Sequence, residues 1–245
     1  MLGPFHTHEA ETISNGQEMS SDPQGESCLV VCNITDVRGT PIEGVKIDIW
    51  ETDSTGHYDV QYSERDGPDG RCVMKSDERG FFWFKAIVPV PYPIPHDGPV
   101  GQLLKLLNRH PWRPAHMHFM FEKAGWDHLI TYALFLLFPF HVQLQFKALA
   151  DSCTTRALYV RGDPYETSDA VFGVKQSLII DFETVDEGTA QQYGVKVGSK
   201  VLKHTFVLVS DQETEKLRDE NALAAMKKLG RTVKLLNHLP VPDVD

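Results

Sequence analysis

The chain lacks any uninterrupted apolar run long enough to cross a bilayer as a helix, which excludes a helical membrane protein. Positive charge is scarce: Lys and Arg number 24 against 34 Asp and Glu, a formal net charge of −10. That balance excludes nucleic acid or an anionic membrane surface as the main partner and leaves a small molecule. The first residues, MLGPFHTHEAE, carry neither a basic region nor an apolar stretch, so no secretory signal is read and a cytoplasmic protein is expected. Cysteine is sparse, with Cys28, Cys32, Cys72 and Cys153 showing no zinc-like spacing. Cys28 and Cys32 share one strand-like run, where four residues span roughly 13 Å, too far for a bridge. All four are expected to be small apolar residues in a reducing compartment. Internal repeats and low-complexity blocks are also missing.

What is present reads as one domain over residues 1–245. Short apolar or alternating segments separated by turn residues predict strands at SCLVVCNIT, GVKIDIWE and GFFWFKAIV, and again at SLIIDFETV and SKVLKHTFVLV. Between Val45 and Ile49 the apolar residues fall at every second position, with Lys46 and Asp48 between them, as when one strand face meets a core. GPVGQLLKLLNRH predicts a short amphipathic helix between Gly98 and Arg109. Ser210 and Glu213 form a capping box ahead of a helix that Gly230 would stop, and the tail from Arg231 is expected to be an extended arm, so that residues 210–245 are helix and tail. The expected fold is an all-β sandwich with short helices and a C-terminal helix.

The chemistry-bearing residues lie around RPAHMHF. On a strand His116 and His118 leave one face while Met117 and Phe119 leave the other, a chelating geometry that two neighbouring surface histidines would share. Tyr92 sits among Pro89, Pro91, Pro93 and Pro95, which hold an extended segment. Tyr58, in ETDSTGHYDVQY, is a second aromatic that could equally belong to the core.

From Leu2 to about Asp186, with one interruption, the chain resembles the intradiol ring-cleaving dioxygenases. The match is closest in PIEGVKIDIWETDSTGHYDVQY, in FKAIVPVPYPIPHDGPVGQLLKLLNRHPWRPAHMHF and in RGDPYETSDAVFGVK. The resemblance implies a non-haem Fe(III) held by Tyr58, Tyr92, His116 and His118, and the 24-residue step from Tyr92 to His116 agrees with it. Two phenolates and two neutral imidazoles suit a hard ferric cation, and each tyrosine, with a free pKa near ~10, would lose its proton only to the metal. The resemblance further implies opening of a catechol-type ring between its hydroxyls by O2 to a muconate-type diacid. In that reaction Tyr92 leaves the metal and takes up substrate protons, and Arg113 stabilises the electron-rich ring. Leu2, Gly3 and Pro4, together with Ala157, would line the substrate pocket. YDVQY and YPIPHDGPVG resemble hydroxyquinol 1,2-dioxygenases of fungal type, which points to benzene-1,2,4-triol as substrate, with catechol second.

Two departures from the family pattern bear on activity. The helical region that precedes this portion in the family and forms its homodimer interface is absent, so truncation upstream of Met1 and a weakened dimer are expected. Joining LIT to ALYVRGDPY restores the pattern by removing residues 132–156, which reads as a retained intron and predicts poor turnover for the polypeptide that carries it. Two other classes compete. One is a non-catalytic prealbumin-like binding module, which has no need of PYPIP and RPAHMH together. The other is a zinc or ferrous enzyme built on HxH, which would seek a third histidine or a carboxylate.

Overall fold

A computed structural model of the chain describes residues 4–65, 67–126, 153–237 and 239–243. In chain order the strands are β1 (Ser27–Thr35), β2 (Lys46–Trp50), β3 (Arg71–Lys75), β4 (Phe81–Ile87), β5 (Tyr92–Pro93), β6 (Trp112–Arg113), β7 (His116–Glu122), β8 (Cys153–Val160), β9 (Ile179–Ile180), β10 (Glu183–Thr184), β11 (Lys200–Val207), β12 (Val233–Leu236) and β13 (Leu239–Pro242). The helices are α1 (Pro99–Leu106), α2 (Glu187–Tyr193) and α3 (Asp211–Lys228). Sheet dominates, as the alternation of apolar residues predicts.

The two larger sheets have the orders β10-β11-β1-β4 and β3-β2-β7-β8-β9. Their apolar faces meet in one cluster: Val30, Cys32, Ile34, Phe82, Phe84 and Phe206 from the first sheet pack with Ile47, Ile49, Met74, Met117, Phe119 and Phe121 from the second. Burying a side chain of this size fully contributes about 1.5–3 kcal/mol, so this shared layer fixes which face of β7 turns inward. Met117 and Phe119 are fully buried in it, and the two histidines therefore leave the opposite face. Cys28, Cys32 and Cys72 are free and buried, and burial pushes the Cys72 thiol well up.

Several expectations are refined. β1 spans the predicted SCLVVCNIT in full, and α1 and α3 lie where expected, α3 with the Ser210–Glu213 capping box. SLIIDFETV is not one strand, because the chain changes sheets inside it: β9 pairs with β8, and β10 with β11. The tail is not an extended arm. It folds back as the β12–β13 hairpin, with Asn237 at φ 50° in the turn, a conformation asparagine tolerates better than most residues. β3 and α2 carried no predicted element. Asp48, on the strand face opposite Ile47 and Ile49, is buried against the His6 ring, with Oδ2 of Asp48 3.1 Å from Nε2 of His6, because the N-terminal segment covers that face.

Most of the anomalous segment 132–156 lies outside the described residues. Its last four positions do not stand apart from the fold. Residues 153–156 enter the β7–β8 ladder, where Cys153 pairs with Glu122 and Arg156 with Phe119. Among the described residues no helix is long and apolar enough to cross a membrane.

Candidate metal centre

Four rings converge on the outer face of β7. Their centroids lie 5.2 Å apart for Tyr58 and Tyr92, 5.4 Å for Tyr92 and His116, and 4.6 Å for His116 and His118. The convergence follows from local structure. His116 and His118 are two residues apart on one strand. Tyr92 is brought in by the β5–β6 pairing, whose register sets it directly opposite Arg113. Tyr58 precedes a short 3-10 turn over Asp59–Gln61. The preceding loop passes Tyr92 closely at Gly56, whose φ is +82° and where an added Cβ would stand 3.3 Å from the Tyr92 Cβ.

Tyr58, Tyr92 and His116 are all buried. Nδ1 of His116 donates to the Pro114 carbonyl at 2.7 Å, which leaves a lone pair on Nε2. That Nε2 faces Nε2 of His118 at 3.1 Å. Burial, reinforced by the Arg113 charge, holds the His116 imidazole well below its usual pKa and brings His118 down to about 3, so both rings are neutral at physiological pH. Burial, followed by the neighbouring Tyr92, raises the Tyr58 hydroxyl well above the ordinary phenol range. Two buried polar atoms of this group have no hydrogen-bond partner among the described residues: the Tyr58 hydroxyl and Nδ1 of His118. Orphan polar atoms in a well-packed interior are uncommon.

Arg113 reaches into the same cluster. Its Nη1 donates to the Tyr92 hydroxyl at 3.3 Å and lies 3.0 Å from Nε2 of His116. Its Nη2 donates to the Tyr159 hydroxyl at 2.8 Å. Ala157 faces His118 and Tyr159 faces His116 across the β7–β8 ladder. Burial raises the Tyr159 phenol to about 12. On the other side the Trp50 ring stacks on His118 at 4.6 Å.

Of the residues expected to line a pocket, Leu2 and Gly3 lie outside the described residues and Pro4 is exposed. It is the next residue, Phe5, that reaches the site, stacking on Tyr58 with centroids 4.6 Å apart. Phe5, Trp50, Tyr159 and Asp169 were missed by sequence reasoning. The alternation of β8 offered a signal for Tyr159, two positions beyond Ala157, whereas Asp169 lies inside the family-like stretch RGDPYETSDAVFGVK, which gave it no role. No cluster of three or more His, Cys, Asp or Glu able to hold a metal exists among the described residues, so a metal site here has to include the phenols. An open cleft of about 540 Å³ lined by Asp22, Asp53, Tyr62 and Arg65 contains none of the four convergent residues.

Known proteins resemble the chain over most of its length. The dioxygenase family model Dioxygenase_C matches residues 1–137. The intradiol ring-cleavage dioxygenase hqdA of Aspergillus niger is 59% identical over 245 residues, covering 100% of this chain and 67% of that protein. A 6-chlorohydroxyquinol 1,2-dioxygenase of Cupriavidus pinatubonensis is 41% identical over 189 residues, covering 77% of this chain and 59% of that protein. The crystal structure of hydroxyquinol 1,2-dioxygenase from Pseudomonas putida DLL-E4 superposes with a TM-score of 0.70 at 32% identity, over 86% of this chain and 65% of that one. The chain thus spans roughly two thirds or less of the length of these relatives. On the family match and on its likeness to hqdA, the chain belongs to the intradiol ring-cleavage dioxygenases.

Proposed function

We propose that Tyr58, Tyr92, His116 and His118 hold a ferric ion and that the site opens the ring of hydroxyquinol, with catechol as the second substrate. The observation that carries the reading is the convergence of two phenols and two neutral imidazoles in one cluster, with the Tyr58 hydroxyl left without a hydrogen bond among the described residues. This donor set fits the ion: anionic oxygen suits a hard trivalent cation, and the lone pair on Nε2 of His116 is already oriented by the Pro114 carbonyl. The relatives named for hydroxyquinol and chlorohydroxyquinol support the substrate. On this reading the two facing sheets form the β-sandwich of the family. Three free, buried cysteines suit a reducing compartment and thus a cytoplasmic enzyme.

When bound, the ferric ion supplies the Lewis acidity that draws protons from the phenols and from the substrate diol. The remaining steps belong to the chain. His116 and His118, kept neutral by burial, present nitrogen rather than charge. Tyr92, once it has given up its own proton, would carry a phenolate oxygen able to take one from the substrate, and Arg113 holds that oxygen by its Nη1 hydrogen bond. The same guanidinium is a buried positive charge beside the ring cluster, placed to favour an electron-rich aromatic. Phe5 and Trp50 pack over Tyr58 and His118 and exclude water from them. Ala157 and the segment around Pro4 are assigned to the substrate pocket.

The test is the visible spectrum of the iron-loaded protein, followed by hydroxyquinol under air. A broad tyrosinate-to-iron band that shifts with substrate while oxygen is consumed is the expected result. Absence of the band refutes the ligand set. A band without oxygen uptake refutes turnover by this polypeptide and points to segment 132–156.

A further inference from the structure

The guanidinium of Arg113 needs more than its own strand to hold it, and what holds it comes from a distant loop. Asp169, buried, lies 56 residues further along the chain. Its Oδ1 accepts from Nε of Arg113 at 3.2 Å and from the Val171 amide at 3.3 Å, and its Oδ2 accepts from the Gly173 amide at 2.8 Å while lying 3.5 Å from Nη2 of Arg113. The loop itself is tied down. The Ala170 amide donates to the Trp112 carbonyl at 3.0 Å, next to Arg113 on β6, and Nη2 of Arg109 donates to the Asp169 carbonyl at 2.8 Å. The space is filled as well. A Cβ at Gly173 would stand 2.5 Å from the Tyr159 hydroxyl, 3.0 Å from Nη2 of Arg113 and 3.1 Å from Oδ2 of Asp169, so no larger residue fits without moving one of them.

We propose that Asp169, with the Tyr159 hydroxyl as second support, is the positioning residue that aims Arg113 at Tyr92 and His116. The inference rests on the metal-site reading above. Asp169 fixes the Nε edge of the guanidinium and Tyr159 takes Nη2, which leaves Nη1 as the arm that reaches the Tyr92 oxygen. A planar guanidinium gripped on one edge has its other edge fixed in direction. Asp169 is also the carboxylate that ion-pairs this buried cation, at 3.2 Å. Neither Asp169 nor Tyr159 is among the proposed iron ligands, so each can be altered without removing a donor atom from the metal.

The test compares wild type, Asp169→Asn, Asp169→Glu and Tyr159→Phe, each loaded with iron, by iron content, by the energy of the tyrosinate-to-iron band and by steady-state kinetics on hydroxyquinol. Asp169→Asn is expected to keep its iron and to shift the band, since Tyr92 loses a fixed donor. It should also lower kcat about a hundredfold, the scale of a misplaced catalytic group, with a smaller change in KM. Asp169→Glu should restore part of both, and Tyr159→Phe should move the band in the same direction by less. If Asp169→Asn misfolds, Tyr159→Phe carries the test, because it removes one hydroxyl and keeps the ring. An unmoved band in a folded, iron-loaded Asp169→Asn or Tyr159→Phe protein overturns the proposal, whether or not the protein turns over. Failure of wild type to show any band instead overturns the metal-site reading beneath it.

Discussion

Replacing Arg71 by alanine separates the clamp on the site from the site itself. Arg71 and Asp59 form an ion pair whose side chains are only 2% and 5% exposed. Nε of Arg71 donates to Oδ2 of Asp59 at 2.7 Å, and Nη2 closes the second bond of the fork to Oδ1. Nη2 also donates to the Phe5 carbonyl at 3.0 Å and Nη1 to the Thr7 hydroxyl at 3.1 Å. One guanidinium therefore joins the residue next to Tyr58 to the segment that stacks on Tyr58. Removing it leaves the Asp59 carboxylate buried without its ionic partner, which costs about 3–5 kcal/mol. Release of the Phe5–Tyr58 stack adds about 0.5–1.5 kcal/mol. The sum is a large share of the roughly 5–15 kcal/mol that holds a typical domain folded. Urea unfolding followed by tryptophan fluorescence reads the loss, and amide exchange over residues 5–8 should quicken with it. The pair Arg71→Met with Asp59→Leu removes both charges and should recover most of the stability. A loss under about 1 kcal/mol in Arg71→Ala, or a double variant no better than the single, would show that the ion pair is not what anchors this corner.

Other perturbations give further expectations. Glu51 is buried with Oε2 unpartnered among the described residues, and burial raises its carboxyl well above the usual range. The folded state keeps that proton where the unfolded chain gives it up, so this residue's contribution is lost as pH rises above about 4.5. Glu51→Gln should therefore gain about 1–3 kcal/mol at pH ~8 and little at pH ~4, measured by urea titration; equal effects at both pH values would be inconsistent with a buried acid. His118 carries the opposite dependence: its pKa is lowered from 6.5 to about 3, so the unfolded chain binds a proton that the folded one refuses. The metal-free protein should lose about 1.4 kcal/mol per pH unit from this group as pH falls from 6.5 toward 3, and His118→Gln should flatten that slope in thermal melts. Tyr58→Phe deletes an unpartnered buried hydroxyl. It should stabilise the metal-free protein by up to about 1–3 kcal/mol while cutting the tyrosinate-to-iron band of the loaded protein, and an undiminished band would remove Tyr58 from the ligand set.

How much of this was legible in the sequence depended on how local each signal was. The histidine pair needed only the two-residue period of a strand, and Met117 and Phe119 in the core show why that period held. β1 and the α3 cap were likewise written within a few adjacent residues. Tyr58 and Tyr92 came from family resemblance, because nothing nearby in sequence says that a 3-10 turn and a two-residue ladder will meet. Asp169 was illegible for the same reason, its partner being 56 positions away. The switch between sheets inside SLIIDFETV was hidden because an apolar run of β-branched residues reads alike whether it stays in one sheet or leaves it. Burial of Asp48 was not legible either, because alternation says nothing of what covers the polar face, and here the N-terminal segment does.

The division of β7 bears on how such a site could diversify. Residues 117, 119 and 121 belong to the core, while His116 and His118 belong to the ring cluster and Met120 packs with Trp50, Tyr58 and Tyr92. Six consecutive positions are thus committed, three to each side, and a library randomised along this strand would consist mostly of variants that unfold or lose the ring cluster. Novelty in substrate has to be sought where the constraint is looser, in the segments that lie across the site rather than in the strand that builds it. The stretch around Pro4 is such a place, whereas the loop of residues 161–175 is held to the ring cluster through Asp169 and Gly173 and shares the constraint of the strand.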